Sequence, residues 1–123
     1  MARVLVVDDS PAIRQALASC LPGFGYDVVV APDGETGLER SGEAPVDLIL
    51  LDVDLPRMSG LSVCAALKQD PERRHIPVVM MTGRLTPETG RQARLAGAIA
   101  VLGKPFTCDE LLAEFTRHLP AGV

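Results

Sequence analysis

The sequence predicts a doubly wound α/β fold, a five-stranded parallel sheet with five helices covering both faces. Three observations carry this. Strand-like and helix-like segments alternate strictly, five times over, which calls for parallel strands joined by right-handed crossovers. The run Leu48-Ile49-Leu50-Leu51 is apolar at every position, so it lacks the alternation of a strand with one wet face and reads as a central strand covered on both sides. Ile76 to Met81 (IPVVMM) has the same character.

Taken in order, residues 3–9 (RVLVVDD) form a short β-branched strand ending in two acids, and Ser10-Pro11 can cap and open a helix. That first helix carries Ile13, Ala16, Leu17, Cys20 and Leu21 on one face, with Arg14 and Gln15 turned away, until Pro22-Gly23 and Gly25 stop it. Tyr26 to Ala31 is the second strand. Asp33-Gly34 begins a poorly apolar second helix to about Ser41, anchored mainly by Leu38, and Gly42 and Pro45 close it. The central strand then ends at Asp52. After Pro56 and Gly60 a third helix buries Leu61, Cys64 and Leu67, and Asp70-Pro71 terminates it. The strand over 76–81 delivers Thr82 and Gly83. The fourth helix, from Pro87 to Ala96, has mostly alanine as its apolar component and should be the loosest of the five. Ala98 to Leu102 is a short last strand leading into Gly103-Lys104-Pro105. The closing helix, Thr107 to Leu119, sets Leu111, Leu112, Phe115 and Leu119 on one face, with Asp109 and Glu110 in its first turn and Arg117 and His118 in its last, as the helix dipole favours.

A chain of 123 residues suits one domain with a single core. It is expected to fill residues 1–119, leaving a tail over 120–123 too short for an output module, although Pro120-Ala121-Gly122 could begin a linker. Twelve Lys and Arg stand against 16 Asp and Glu, a net charge of −4 without a basic cluster, which argues against direct nucleic-acid binding. No apolar run approaches the roughly 18 to 20 residues of a membrane span, so a soluble, cytoplasmic protein is expected. Cys20, Cys64 and Cys108 are widely spaced and odd in number, and read as buried or partly buried free thiols in a reducing cytosol. His75 and His118 lack metal-ligand spacing and read as solvent-facing.

In an open parallel sheet, ligands gather outside the carboxyl ends of the strands. Those ends supply Asp8 and Asp9, Asp52, Thr82 and Lys104. Three carboxylates in one crevice repel, each close pair costing on the order of 1 to 4 kcal/mol. A hard divalent cation relieves this, and Mg²⁺ suits an open edge because it takes oxygen ligands while keeping waters. A carboxylate oxygen can also attack phosphorus to form an acyl phosphate if cation and donors neutralise the developing charge. Lys104 would supply an ammonium and Thr82 a hydroxyl. Plainer readings exist: acids at a helix start suit dipole and cap, a lone lysine is commonly solvated, and a threonine after a strand often bonds local backbone. Two acids after a buried strand exceed what capping needs, and the co-occurrence of all these residues weakens each plain reading.

The segments VVDDSP, LILLDVDLPRMSG, VVMMTG and GKPF, in that order, make the chain resemble the receiver domain of two-component response regulators over essentially its whole length. The resemblance implies a flavodoxin-like sheet of order 2-1-3-4-5, and Asp52 phosphorylated by a sensor histidine kinase or phosphotransfer protein. It implies Mg²⁺ on Asp8, Asp9, Asp52 and the Asp54 backbone carbonyl, with Thr82 following the phosphoryl group and Lys104 pairing with it. It also implies a cis Lys104-Pro105 peptide, which costs only about 0.5 to 1 kcal/mol at proline. Such a domain turns over no separate substrate. It signals as a monomer or weak dimer by contact with an unidentified downstream protein, through the face of the fourth helix, last strand and fifth helix.

Two features depart from or vary within that pattern. The family usually has Tyr or Phe three residues before the lysine, where this chain has Val101; coupling is then expected to rely on Thr82 and movement of the loose fourth helix. Asp54 and Arg84 lie two residues after Asp52 and Thr82 and have opposite charge. They are expected to approach across the mouth of the site and gate hydrolytic water, an exposed pair of this kind being worth about 0 to 1 kcal/mol. Two other functions fit parts of the pattern. Asp52-Val53-Asp54 also resembles the motif of haloacid-dehalogenase-type phosphatases, but there the metal-binding acids come late, and no cap domain fits here. The other is a degenerate receiver that binds a partner without phosphorylation, against which the intact acids and lysine argue.

Overall fold

The computed structural model describes residues 1–119; the expected tail over 120–123 lies outside the described residues. The strands are β1 (Ala2–Val7), β2 (Tyr26–Ala31), β3 (Leu48–Asp52), β4 (Val78–Thr82) and β5 (Ala100–Gly103). The helices are α1 (Pro11–Cys20), α2 (Gly34–Glu43), α3 (Gly60–Gln69), α4 (Pro87–Ala96) and α5 (Cys108–His118), with a 3₁₀ turn over Leu21–Phe24 after α1. All strand pairs are parallel and the order is β2-β1-β3-β4-β5, as expected. The chain therefore reverses its winding between β1 and β3, and the crevice outside their carboxyl ends is where such a sheet binds ligands.

Every residue of β3 and β4 is buried. Alternate residues along the strands feed two cores. Leu5, Val7, Ile49, Leu51 and Met80 pack with Val63, Leu67 and Ala93 of α3 and α4. Val4, Val6, Leu48, Leu50 and Val79 pack on the other face with Leu17 of α1 and with Leu111 and Phe115 of α5. Tyr26 closes the second core edge-on against Phe115, ring centroids 5.1 Å apart.

Several details differ from the sequence expectation. β4 begins at Val78 because the preceding Pro77 has no N–H to donate. Helix α2 runs on to Glu43, and it packs through small residues as much as through Leu38: Gly37 lies against Val7, and Gly34 against Val63. In α3, Val63 joins Cys64 and Leu67 in the buried set. Ala16 of α1 is exposed, whereas Arg14 turns inward, its Nη1 donating to the Asp8 carbonyl at 2.8 Å. His118 is not free in solvent, since its Nε2 lies 3.1 Å from Glu114 Oε2, one helical turn away.

The largest correction concerns the cysteines. Cys20 and Cys108, 88 residues apart, are joined in a disulfide, and only Cys64 is a free thiol among the described residues. Both α1 and α5 cover the same sheet face, so the end of one meets the start of the other, a neighbourhood that spacing along the chain does not display. Cys64 is buried, and burial pushes its thiol above the ordinary value, with the nearby Lys68 charge opposing.

Candidate functional site

The acids of β1 emerge where the strand hands over to α1. Ser10 caps that helix by accepting from the Ile13 N–H, and Pro11 occupies its first turn. Asp8 is fully buried and Asp9 exposed. Asp8 is held at both ends: its N–H donates to the Ala31 carbonyl at 3.1 Å, and its Oδ1 accepts from Ser10 N–H at 2.9 Å. Arg14 adds a further bond, its Nη1 donating to the Asp8 carbonyl. Arg14 was missed from sequence because its spacing on the helix placed it with the polar face.

Asp52 ends β3 and is 3% exposed. Its Oδ1 accepts from the Asp54 N–H at 3.0 Å. Behind it, the start of α3 comes so close that a Cβ on Gly60 would collide with the Asp52 carbonyl; glycine is what permits the approach. The loop between them carries Arg57 at φ 64°, a left-handed residue tied by its guanidinium to Asp33 at 3.4 Å.

Lys104 reaches the crevice from β5, its backbone fixed by donation from its N–H to the Thr82 carbonyl at 2.7 Å, and its bond to Pro105 is cis. Nζ lies 2.7 Å from Asp8 Oδ2 and 3.3 Å from Asp52 Oδ2. Carboxylate oxygens of Asp8, Asp9 and Asp52 lie within 4.8 Å of one another. Burial raises the Asp52 pKa above the usual carboxylate value and the Asp8 charge adds to this, while the Asp54 N–H and Lys104 oppose it. For Lys104, burial works against the charged form, but hydrogen bonding to Asp8 and the charges of Asp52 and Asp8 outweigh it and hold the ammonium above its ordinary value.

Thr82 is fully buried at the end of β4. Its hydroxyl donates to Asp54 Oδ2 at 3.3 Å and accepts the Arg84 N–H at 3.1 Å. Asp54 and Arg84 are thus both linked to Thr82, one by side chain and the other by backbone. No ion pair joins them among the described residues. Val101 is half-buried and packs into the core beneath α3 and α4, on the face away from α5.

Three carboxylates facing one ammonium leave the crevice with excess negative charge, and every donor is oxygen. That set fits a hard cation such as Mg²⁺.

A family model described as the response regulator receiver domain matches residues 4–116. The chain belongs to this family. The receiver fold is matched by the crystallised chemotaxis protein CheY4 of Vibrio cholerae, with a TM-score of 0.92 and 36% identity over 97% of this chain and 99% of that one. Protein PilG of Pseudomonas aeruginosa is 31% identical over 97% of this chain and 88% of its own length. Response regulator PleD of Caulobacter vibrioides is 43% identical over 96% of this chain, yet the chain spans 26% of PleD. It likewise spans 47% of the DNA-binding regulator RpaA of Synechocystis, at 39% identity. Receivers of this family are signalling switches rather than enzymes with a separate substrate.

Proposed function

We propose that this receiver takes a phosphoryl group on Asp52 from a phosphohistidine of a sensor kinase or phosphotransfer protein, and that the modified state is read by a downstream protein. The observation that carries this reading is the Asp52 carboxylate itself: buried at a strand end, oriented by the Asp54 N–H, and within 3.3 Å of Lys104 Nζ. One carboxylate oxygen attacks phosphorus, the phosphorus–nitrogen bond breaks, and the imidazole leaves with the electron pair. Lys104 stabilises charge on the transferred oxygens. Asp8, Asp9, Asp52 and the main-chain carbonyl of Asp54 would hold Mg²⁺, which when bound neutralises charge on the phosphoryl group.

Thr82 can serve the phosphoryl oxygens only by giving up Asp54, since a hydroxyl has one proton to donate. Leaving Asp54 also disturbs the Arg84 N–H bonded to Thr82, and so the segment that leads into α4. Val101 offers no ring to relay this movement, so the outward signal travels through that segment. The exposed Leu85, Leu95 and Ile99 supply apolar surface there for a partner. Asp54 modulates how long the acyl phosphate lasts, by holding or releasing Thr82, and Arg84 acts with it at the mouth of the site.

Incubation with a small phosphodonor and Mg²⁺, followed by intact mass, tests the reading. Wild type should gain one phosphoryl group and Asp52→Ala none. Steady hydrolysis of diverse phosphate esters would instead support phosphatase chemistry.

A further inference from the structure

Cys20 and Cys108 take no part in the phosphoryl site, yet they join its two flanking helices. Cys20 is the last residue of α1 and Cys108 the first of α5. Both are half-buried rather than enclosed. They line an open, mostly apolar cavity of about 430 Å³ together with Ile13, Leu17, Phe106 and Lys104. A small thiol can therefore approach the sulfurs from solvent. Cys108 also stands in the first turn of an 11-residue helix, shortly after the cis Lys104-Pro105 bond.

We propose that Cys20 and Cys108 are a reversible dithiol–disulfide pair that exchanges with small-molecule disulfides of the glutathione class and sets the order of the Lys104–Cys108 segment. The Cys108 thiolate attacks one sulfur of the oxidant, breaking its S–S bond, expelling one thiolate and forming a mixed disulfide. The Cys20 thiolate then attacks the Cys108 sulfur, closing the protein bond and expelling the second thiolate. The two protons given up by the cysteines end on the two released thiols. Two electrons pass from the protein to the oxidant.

Oxidised, the pair ties the start of α5 to the end of α1. Reduced, α5 is held at that end only by its cap and its apolar face, and the loop carrying Lys104 gains freedom.

The test is a redox titration of the folded wild-type chain, from about a hundredfold excess of reduced glutathione to a similar excess of the oxidised form. Quenching with an alkylating reagent and weighing the intact protein counts the thiols. The expected result is loss of two alkylatable thiols across the titration, with Cys64→Ala behaving alike. Two thiols alkylated at every ratio, or none without denaturant, overturns the exchange. Hydrogen exchange on the two wild-type forms should be faster over residues 104–108 in the reduced one, on the order of tenfold; equal rates overturn the claim on order. Neither readout involves phosphate, so a chain that takes no phosphoryl group would sink the receiver mechanism and leave this result standing.

Discussion

Asp52 carries two opposed requirements: it must be buried to sit against Lys104, and ionised to attack phosphorus. Its raised pKa means that the folded chain holds this proton to higher pH than the unfolded chain does. Stability therefore falls as pH rises from the ordinary value, 3.8, through the raised one. Asp52→Asn should be more stable than wild type at neutral pH without divalent cations, and the gap should close as pH falls toward 3.8. Thermal melts across pH check this. Lys104 has the opposite sign, its stabilisation being complete below the ordinary lysine value and lost as pH rises through its own higher one. Lys104→Ala removes the cation between two buried carboxylates and should cost about 3 kcal/mol. Because no ammonium then competes, added Mg²⁺ should raise the melting temperature of Lys104→Ala more than that of wild type. A smaller rise would argue against a metal role for the cluster.

At the scale of elements, the helices differ in how they are seated. The start of α3 rests on the Asp52 carbonyl with no room for a methyl group at Gly60. Gly60→Ala must push backbone against backbone and should lose about 1 to 3 kcal/mol in urea denaturation. The equivalent change at Gly90, inside α4, meets open space. Gly90→Ala should gain about 0.5 to 1 kcal/mol from helix propensity alone. It should also slow amide exchange in α4 and blunt any response of residues 84–101 to phosphorylation, if α4 is the element that moves. The helices themselves were legible from sequence, because the apolar period and the caps are local. The ends and seating of the elements were less so: β4 starts late, at Val78, because Pro77 has no N–H to donate, and α2 packs through glycines that hydropathy does not score.

For the whole molecule, the bond between Cys20 and Cys108 closes most of the chain into one loop, 88 residues in sequence separation. On the chain-entropy account a loop of this length is worth about 4 to 5 kcal/mol relative to the reduced unfolded chain. Urea denaturation of oxidised and reduced wild type should differ by an amount of this order; a difference under about 1 kcal/mol would mean that native-state costs cancel the entropy.

The covered central sheet and the gathering of Asp8, Asp9, Asp52, Thr82 and Lys104 at one edge could be read from period and strand termination, which are properties of neighbouring residues. The order of the strands came from the family resemblance alone, because it is a relation between distant segments. Which atoms meet was decided only by the tertiary structure. Lys104 sits closer to Asp8 than to Asp52, Thr82 donates to Asp54, Arg14 turns in to hold Asp8, and Cys20 finds Cys108. Most of these contacts join residues from different elements, brought together by the packing of α1 and α5 on one sheet face and by the convergence of strand ends. Hydrophobic pattern assigns a residue to a face, but pairing across that face depends on distances set by the assembled layers.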